Sequence, residues 1–556
     1  MFVRIAKQKR GDKVYRHLQI AESFRDPEKG GSPRTRILAH LGTIESLGEG
    51  QVERLIAGFQ KALGRDPVQT GPPLLTFARD FGHVHAVKHL WEILGLSKAL
   101  ARAGVKTGAG MDYAELIKLL IVNRLCDPCS KLALLDWLDG VWLSGFEQHR
   151  PAYHHLLRAM DRLLDAKEAL EPLIAKRFMP KAHWEGDLLF YDITSTWFDG
   201  DRSLVEDDIR RFGYSRDGRF DRRQITIGVV MGKDGIPLCH HVFPGNTVDK
   251  TTVVEVVKDL KTRFKLRSVV FVGDRGMLSD QNLETLLAEE FGFIVAHPLR
   301  RGEEARSVIE ALRLKISFNG QDEEIVEEVR SGVRFVMAYS PKIAAETKAN
   351  RQERLAKADA KIREILAPRS GKGRKPSPQG QYDRIRDYLR DKGLLSLFQV
   401  ALTQDQVIVK AHRKRRAWEE KIDGVLLLET TDMDAPCADI IKHYKELAEI
   451  ERGWRALKST LELRPVYHWT EERIRAHVFV CVIALQLERW MRNKLKGMAV
   501  SVPTAIRLLR QIKMGEIMVG EETLMTPSRP TDAQKKILRA LGVPPIPTRG
   551  EKGNVV

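Results

Sequence analysis

Between residues 185 and 300 the chain changes period several times, and that succession limits the fold more than any other feature. Gly186-Asp-Leu-Leu-Phe-Tyr-Asp192 is an apolar run of strand length. Gln224-Ile-Thr-Ile-Gly-Val-Val-Met231 is a second, and it turns through Gly232-Lys-Asp-Gly235 into Ile236-Pro-Leu-Cys-His-His-Val-Phe243. Asp-Gly at such a link is a strong hairpin signal, because tight hairpin turns need positive φ angles. Lys250 to Phe264 switches to helical spacing, with Val253, Val256, Val257 and Leu260 on one face. Ser268-Val-Val-Phe-Val-Gly273 is a fourth strand, Gln281 to Glu290 a helix, and Phe293-Ile-Val-Ala296 a fifth strand. Three strands followed by two helix–strand units predict an α/β domain: a mixed sheet with helices packed on it.

The flanks differ in character. Residues 1–50 alternate polar and apolar positions in short stretches, as in Tyr15-Arg-His-Leu-Gln-Ile and Arg36-Ile-Leu-Ala-His-Leu-Gly, which predicts a small, basic, β-rich region. Residues 51–180 take helical spacing and are the expected DNA-binding domain. The sheet core spans 185–304. Residues 305–432 interrupt it with short strands, such as Val333-Arg-Phe-Val-Met-Ala-Tyr339, and a charged helix near 343–366, which predicts a β-rich insertion. Its stretch Arg369-Ser-Gly-Lys-Gly-Arg-Lys-Pro-Ser-Pro-Gln-Gly380 reads as a loop. Residues 433–500 read as a long helix from about Pro436 to Leu463 and a second from Thr470 to Lys496. Residues 501–556 form a tail whose end, rich in Pro, Thr and Lys, is expected to fray.

The chain carries 92 Lys and Arg against 74 Asp and Glu, a formal charge of +18, which suits a polyanionic partner. Its 556 residues are too many for one core. Five cysteines, an odd and sparse set, fit a reducing compartment, and the lone Cys126-Asp-Pro-Cys129 lacks the second ligand pair of a zinc site. The longest apolar run, Val478 to Leu485, is far short of a membrane span, and the N-terminus has no signal-peptide core. A cytoplasmic protein without membrane contact is expected.

Three acids stand out by placement. Asp192 ends the first predicted strand and Asp274 the fourth; in a sheet of this order those strands are parallel neighbours. Glu451 lies on the long helix, where Tyr444, Glu451 and Lys458 recur every seven residues and so share a face. A stripe of Ile440, Tyr444, Leu447, Ile450, Trp454 and Leu457 is expected to face the protein and to turn Glu451 inward. Singly, each Asp is more often a turn residue and the Glu part of a solvated face. Together, three carboxylates repel unless cations enter, and hard oxygen donors suit two Mg²⁺ or Mn²⁺ ions. Such a pair can activate a water or a 3′-hydroxyl and stabilise the leaving oxygen of a phosphodiester. Arg455, Lys458 and Arg275 stand near enough to hold phosphates.

Tyr444-(2)-Leu447-(3)-Glu451-(6)-Lys458 resembles the Y-(2)-R-(3)-E-(6)-K signature of DDE transposases in the insertion-sequence-four superfamily. Glu451-Arg-Gly-Trp-Arg-Ala-Leu-Lys-Ser459, Leu463-Arg-Pro-Val-Tyr-His468 and Arg473-Ile-Arg-Ala-His477 resemble its insertion-sequence-1634 type. So do Tyr191-Asp192-Ile-Thr, Pro244-Gly-Asn-Thr-Val-Asp249, Val272-Gly-Asp274-Arg-Gly and Asp423-Gly-Val-Leu-Leu-Leu428. The resemblance spans most of residues 110–490. It implies a ribonuclease H-like core in which Asp192, Asp274 and Glu451 are the metal-binding catalytic triad, with Tyr444 and Lys458 as DNA contacts. The signature's Arg is Leu447 here, so that contact does not carry over; Arg455 or Arg452 are the candidates to replace it.

The implied function is that of a transposase binding the terminal inverted repeats of an insertion sequence, cleaving the strands and joining them to target DNA by a cut-and-paste route. Two ends brought together imply a homodimer on double-stranded DNA. An inactive DNA-binding relative or a ribonuclease H-like nuclease are the alternatives. His240, His241, His468 and His477 show no ligand spacing with a third partner and read as core or loop histidines. His412-Arg-Lys-Arg-Arg416 reads as a DNA-backbone contact or a solvated strand end, and Trp454 as core.

Overall fold

The structure, a computed structural model, describes residues 1–546 except 12, 27–31, 45, 47–50, 65–73, 106–111, 147–149, 179–187, 200–207, 216–217, 267–268, 275–279, 301, 319, 321, 368–376, 405 and 520–521. They fall into two compact units: one holds Met1–Arg79 and Lys513–Arg529, the other Asp80–Ile512 and Pro530–Pro545.

In the first unit, β1 (Phe2–Arg10), β2 (Lys13–Asp26) and β3 (Ser32–Thr43) form an antiparallel sheet, in which the alternating stretches noted above lie on β2 and β3. α1 (Gln51–Ala62) follows, then β4 (Leu74–Asp80), a strand inside a stretch that reads as helical.

The second unit opens with α2 (Gly82–Ile93), α3 (Leu96–Arg102), α4 (Tyr113–Cys126), α5 (Ala133–Gly140), α6 (Tyr153–Asp165) and α7 (Lys167–Phe178). Then come β5 (Leu188–Trp197), β6 (Gln224–Met231), β7 (Pro237–Pro244), α8 (Asp249–Thr262), β8 (Val270–Asp274), α9 (Asp280–Ala288) and β9 (Gly292–Ala296). This is the predicted succession; the first residues of two predicted strands, Gly186-Asp187 and Ser268, lie outside the described residues. β5, β6 and β7 pair antiparallel, whereas β5–β8 and β8–β9 pair parallel. The sheet core is apolar: Tyr191, Ile193, Val230, Val253, Val256, Leu260, Phe271 and Phe293 all belong to one buried cluster.

The insertion differs from the expectation. It comprises α10 (Glu303–Arg313), β10 (Glu324–Arg330), β11 (Val333–Tyr339), α11 (Pro341–Leu366), α12 (Pro378–Asp391), β12 (Phe398–Leu402), β13 (Val407–Ala411), α13 (Arg413–Ile422) and β14 (Val425–Thr430). Helix outweighs strand, so it is not β-rich. β10, β11 and β14 do not form a sheet of their own but extend the main one, whose order is β10-β11-β14-β9-β8-β5-β6-β7. Of the predicted loop 369–380, residues 369–376 lie outside the described residues, and Pro378 opens α12 behind an N-cap at Ser377, whose Oγ accepts from Gly380 N at 3.2 Å. His412–Arg416 begins α13 rather than ending a strand, with His412 as its N-cap.

The predicted long helix is two helices and a turn. α14 (Cys437–Lys445) stops at Glu446, α15 (Leu447–Arg455) resumes, and Ala456–Thr460 widens into a π-helical turn. α16 (Glu471–Lys494) then runs through the interior against α4, α6 and β7. Its middle, the run Val478–Leu485, is apolar on every face, as a helical stretch covered on all sides must be. Among the described residues no helix is long and apolar enough to cross a membrane.

The tail does not fray where it is described. α17 (Val502–Arg510), β15 (Lys513–Val519), β16 (Glu522–Pro527) and α18 (Asp532–Ala540) are all regular. β15 pairs with β16, and the two complete a sheet with β4 in the order β16-β15-β4. α18 starts at a capping box in which Thr531 and Gln534 satisfy each other's backbone N–H groups. Ser501 caps α17, with Pro503 in its first turn.

Candidate active site

The parallel pairing of β5 and β8 runs Leu188↔Val270, Leu189↔Phe271, Phe190↔Val272. Continued by two residues, that register sets Asp192 level with Asp274, the last residue of β8. Neighbouring strands lie ~4.8 Å apart, so the two backbone positions are adjacent. Asp192 does not end its strand as predicted. β5 runs on through Ile193-Thr-Ser-Thr-Trp197, which stays paired to β6 as far as Trp197↔Gln224. β-branched residues suit that ladder. Asp192 therefore sits just past the Phe190↔Val272 pair of β5 and β8, on a strand still paired to β6 along its other edge.

Asp192 is half-buried, and its carboxylate accepts from a backbone and a side-chain donor. The backbone N–H of Ile193 donates to Oδ1 at 2.7 Å, and Trp454 Nε1–H donates to Oδ2 at 2.8 Å. These two donors fix the direction of the carboxylate. Its neighbour Tyr191 is buried, with its hydroxyl 2.7 Å from Thr252 Oγ1 on α8. Gly228 on β6 makes room for that ring: a Cβ there would lie 2.6 Å from the Tyr191 hydroxyl.

Trp454 ties α15 to the sheet. Gly453 beside it lets the helix approach β6, where a Cβ would already stand 3.3 Å from the tip of Met231. Glu451 is three residues before Trp454, ~4.5 Å along the helix axis and on the same side of it. The stripe residues Ile440, Ile450, Trp454 and Leu457 are buried, and Tyr444 and Leu447 half-buried. Glu451 itself is exposed, not turned inward. It flanks the stripe rather than belonging to it, and a carboxylate with no buried partner keeps its water. The seven-residue phase joining Tyr444, Glu451 and Lys458 is also broken, because Glu446 interrupts the helix before Glu451 and the π turn carries Lys458 after it. Tyr444 and Lys458 are half-buried, and Arg452 and Arg455 exposed. Arg275 lies outside the described residues, as does Arg267.

Two family models match this chain. The IS1634 family transposase N-terminal domain matches residues 3–71, and the transposase DDE domain matches residues 192–487, more than half of the chain. The chain belongs to the DDE transposases of the IS1634 type. It is a DNA transposase, an enzyme of the nucleotidyl-transferase kind. Among curated proteins none matches. The DDE match begins at Asp192 and closes within α16, so the transposase domain takes in the strand pair, the insertion and α15. DDE domains use divalent metal ions, and the donor chemistry here suits one: carboxylate oxygens, with Asp192 oriented in part by the Ile193 N–H and Trp454 Nε1–H.

Sequence reasoning missed two features of this transposase. Trp454 is core, at 7% exposure, but it is also the donor on Asp192, which its place three residues after Glu451 would have suggested. The other is a cluster of Cys239, His241 and Asp259, whose ligand atoms all lie within 4.8 Å of one another. Strand alternation sets Cys239 and His241 two apart on one face of β7, and α8 supplies Asp259. His241 is thus not without partners, as its spacing had suggested. Burial works against its charge, but hydrogen bonds to Asp259, Cys239 and Glu255 prevail and push its pKa up to about 11. Its Nε2 stands 3.0 Å from Asp259 Oδ2, and Arg263 grips the same carboxylate. A protonated ring between carboxylates is an ion pair, and a metal would have to displace that proton. His240, His468 and His477 are buried, and burial first, then neighbouring Lys167 or Lys131, pushes all three down: His240 to about 4 and His468 to about 3.

Proposed function

We propose that Asp192, Asp274 and Glu451 form the catalytic, cation-binding triad of this transposase, holding two Mg²⁺ or Mn²⁺ ions. The observation that carries the reading is that one residue, Trp454, joins the Glu451 turn to Asp192, which is level with Asp274. Bound cations would supply an activated water or 3′-hydroxyl and stabilise the leaving oxygen. The chain's own part is orientation. Trp454 and the Ile193 N–H aim Asp192, and the exposed Glu451 reaches the solvent side where a DNA strand must lie. Tyr444, Lys458, Arg455 and Arg275 contact DNA near the scissile phosphate. The enzyme binds the inverted repeats at the element's ends, cleaves there and transfers the strands to target DNA by cut and paste. The helices within 51–180 contribute to end recognition, and two copies act together as a homodimer.

Chelating divalent ions should stop cleavage of element-end DNA while leaving binding intact, and Mg²⁺ or Mn²⁺ should restore it. Cleavage that survives thorough chelation sinks the reading. Trp454→Phe keeps an aromatic ring on this face and removes the donor, and circular dichroism checks that the smaller ring leaves the fold intact. We expect metal affinity or cleavage to fall about 10–100-fold, the usual cost of losing a partner that orients a metal ligand. A titration of cleavage rate against metal concentration checks it; an unchanged curve would show that the Trp454 bond does no orienting.

A further inference from the structure

Beside the Glu451 helix lies a cavity of about 370 Å³, walled by the end of α15, the π turn, the last turns of α16 and the first turn of α17. Its lining is strongly basic. Arg489 is the unusual member: its side chain is 2% exposed, yet Nε and Nη1 have no hydrogen-bond partner. Its nearest acid, Glu488, stands 3.2 Å from Nε without hydrogen-bond geometry. The guanidinium lies against α15, where a Cβ on Gly453 would be 3.7 Å from Nη2. A buried cation with donors left over is costly unless something anionic completes it.

Around it the positive charges outnumber the acids. Arg492 pairs with Glu449 at 2.9 Å, and Arg452 shares that same carboxylate. Arg455 and Lys496 also line the cavity, and among the described residues neither side chain has an ion-pair partner. Glu488 offsets one charge, and burial disfavours its ionised form. Ser501 to Pro503 bring the start of α17 to the same wall, and a helix start favours anions.

We infer that this cavity binds a backbone phosphate of the DNA strand, with Arg489 as its buried anchor and Arg455 and Lys496 as its solvent-side ligands. Arg455 stands one helical turn beyond Glu451, so the phosphate held here belongs to the strand that passes the triad. Arg489 on α16 and Arg455 on α15 together occupy the role that Leu447 leaves open. The inference rests on the proposed function for the identity of the strand, but its test does not depend on cleavage.

Binding of short duplexes, one carrying an element end and one of unrelated sequence, is measured by fluorescence anisotropy without divalent ions across a salt series. Arg455→Gln and Lys496→Gln, both at the surface, and Arg489→Met are compared with wild type, with circular dichroism to check the fold of the last. Each variant should weaken both duplexes by about tenfold or less and lower the salt slope by ~0.9, the value of one phosphate contact. Unchanged affinity and slope in the two surface variants overturn the inference, whatever Arg489→Met does. Orthophosphate is titrated in parallel. If it binds in an Arg489-dependent way while the DNA slopes stay at wild-type values, the cavity takes free anions and the strand assignment is wrong. Failure of the triad reading would look different: no metal-dependent cleavage by wild type, with these binding differences intact.

Discussion

Asp192→Asn is expected to abolish metal-dependent cleavage of element-end DNA, lowering the rate at least about a thousandfold, or about 4 kcal/mol of transition-state stabilisation. The substitution is nearly isosteric. Its amide oxygen can still accept from Trp454 Nε1 or the Ile193 N–H, both of which donate to Asp192 now, so α15 stays docked on β5. What it removes is one negative charge level with Asp274. Without that charge the site holds a divalent ion poorly and has less to offer a developing phosphoryl charge. Affinity for the same DNA measured without metal should stay within about threefold, because that term comes from basic groups and not from the carboxylates. Cleavage at a comparable rate in the purified variant would remove Asp192 from the triad. Loss of DNA binding along with cleavage would point instead to a fold defect, which circular dichroism would register.

How far the sequence reached can be judged from particular elements. β5 to β9 were legible because each is a short apolar run bounded by turn residues, and because α8 shows a one-sided valine face that only a helix makes continuous. The end of β5 was not legible. Thr194, Ser195 and Thr196 read as polar loop residues, yet they are buried by pairing with β6, a contact between positions about thirty residues apart. Likewise β4 carries no strong local signal, since its partner β15 lies more than 400 residues away. The signals for α17 and α18 were present, as Ser501-Val-Pro503 and Thr531-x-x-Gln534, but composition outweighed them.

For the candidate site, spacing placed Glu451 on a helix, where it is, but with the wrong exposure. Periodicity ranks residues around a helix, and Glu451 borders the stripe of Ile450 and Trp454, so one step of phase decides between core and solvent. Two departures from ideal geometry, at Glu446 and at Ala456–Thr460, add errors that no heptad count contains. π turns inside α-helices are frequent at functional positions, and this one lies between Glu451 and Lys458. The basic cavity was invisible for another reason. Arg489 falls near the end of α16 among charged residues that read as a helix end, and nothing in its neighbours reveals that it is buried with donors left over.

The second large effect falls on stability. Glu171 on α7 is 2% exposed and ties that helix to the sheet. Its Oε1 accepts from the backbone N–H of His240 on β7 at 3.1 Å and pairs with His240 Nδ1 at 2.7 Å. Its Oε2 accepts from Lys167 Nζ and from Arg263 Nη1, each at 2.9 Å. Burial opposes its charge, but Lys167, His240 and Arg263 overcome that and hold its pKa far below the usual carboxylate value. Glu171→Ala leaves the mostly buried Lys167 without its anion, Arg263 with Asp259 alone and the His240 backbone N–H without its acceptor, and the expected loss is about 3 kcal/mol in urea denaturation of the full chain. Acid should act in the same direction on wild type. A carboxylate whose pKa is depressed by folding stabilises the native state above the unfolded value of 4.5 and loses that contribution as pH falls toward the folded value. His240, held down to about 4 against 6.5 when unfolded, takes up its proton more readily in the unfolded chain, so stability also declines from pH 6.5 toward 4. Wild type should therefore lose stability steadily below pH 6.5, and Glu171→Ala should lose less below 4.5 because the carboxylate's share is already gone. A loss under about 1 kcal/mol at pH 7, or an acid slope below 4.5 identical to wild type, would show that α7 is held to the sheet by packing and not by this carboxylate.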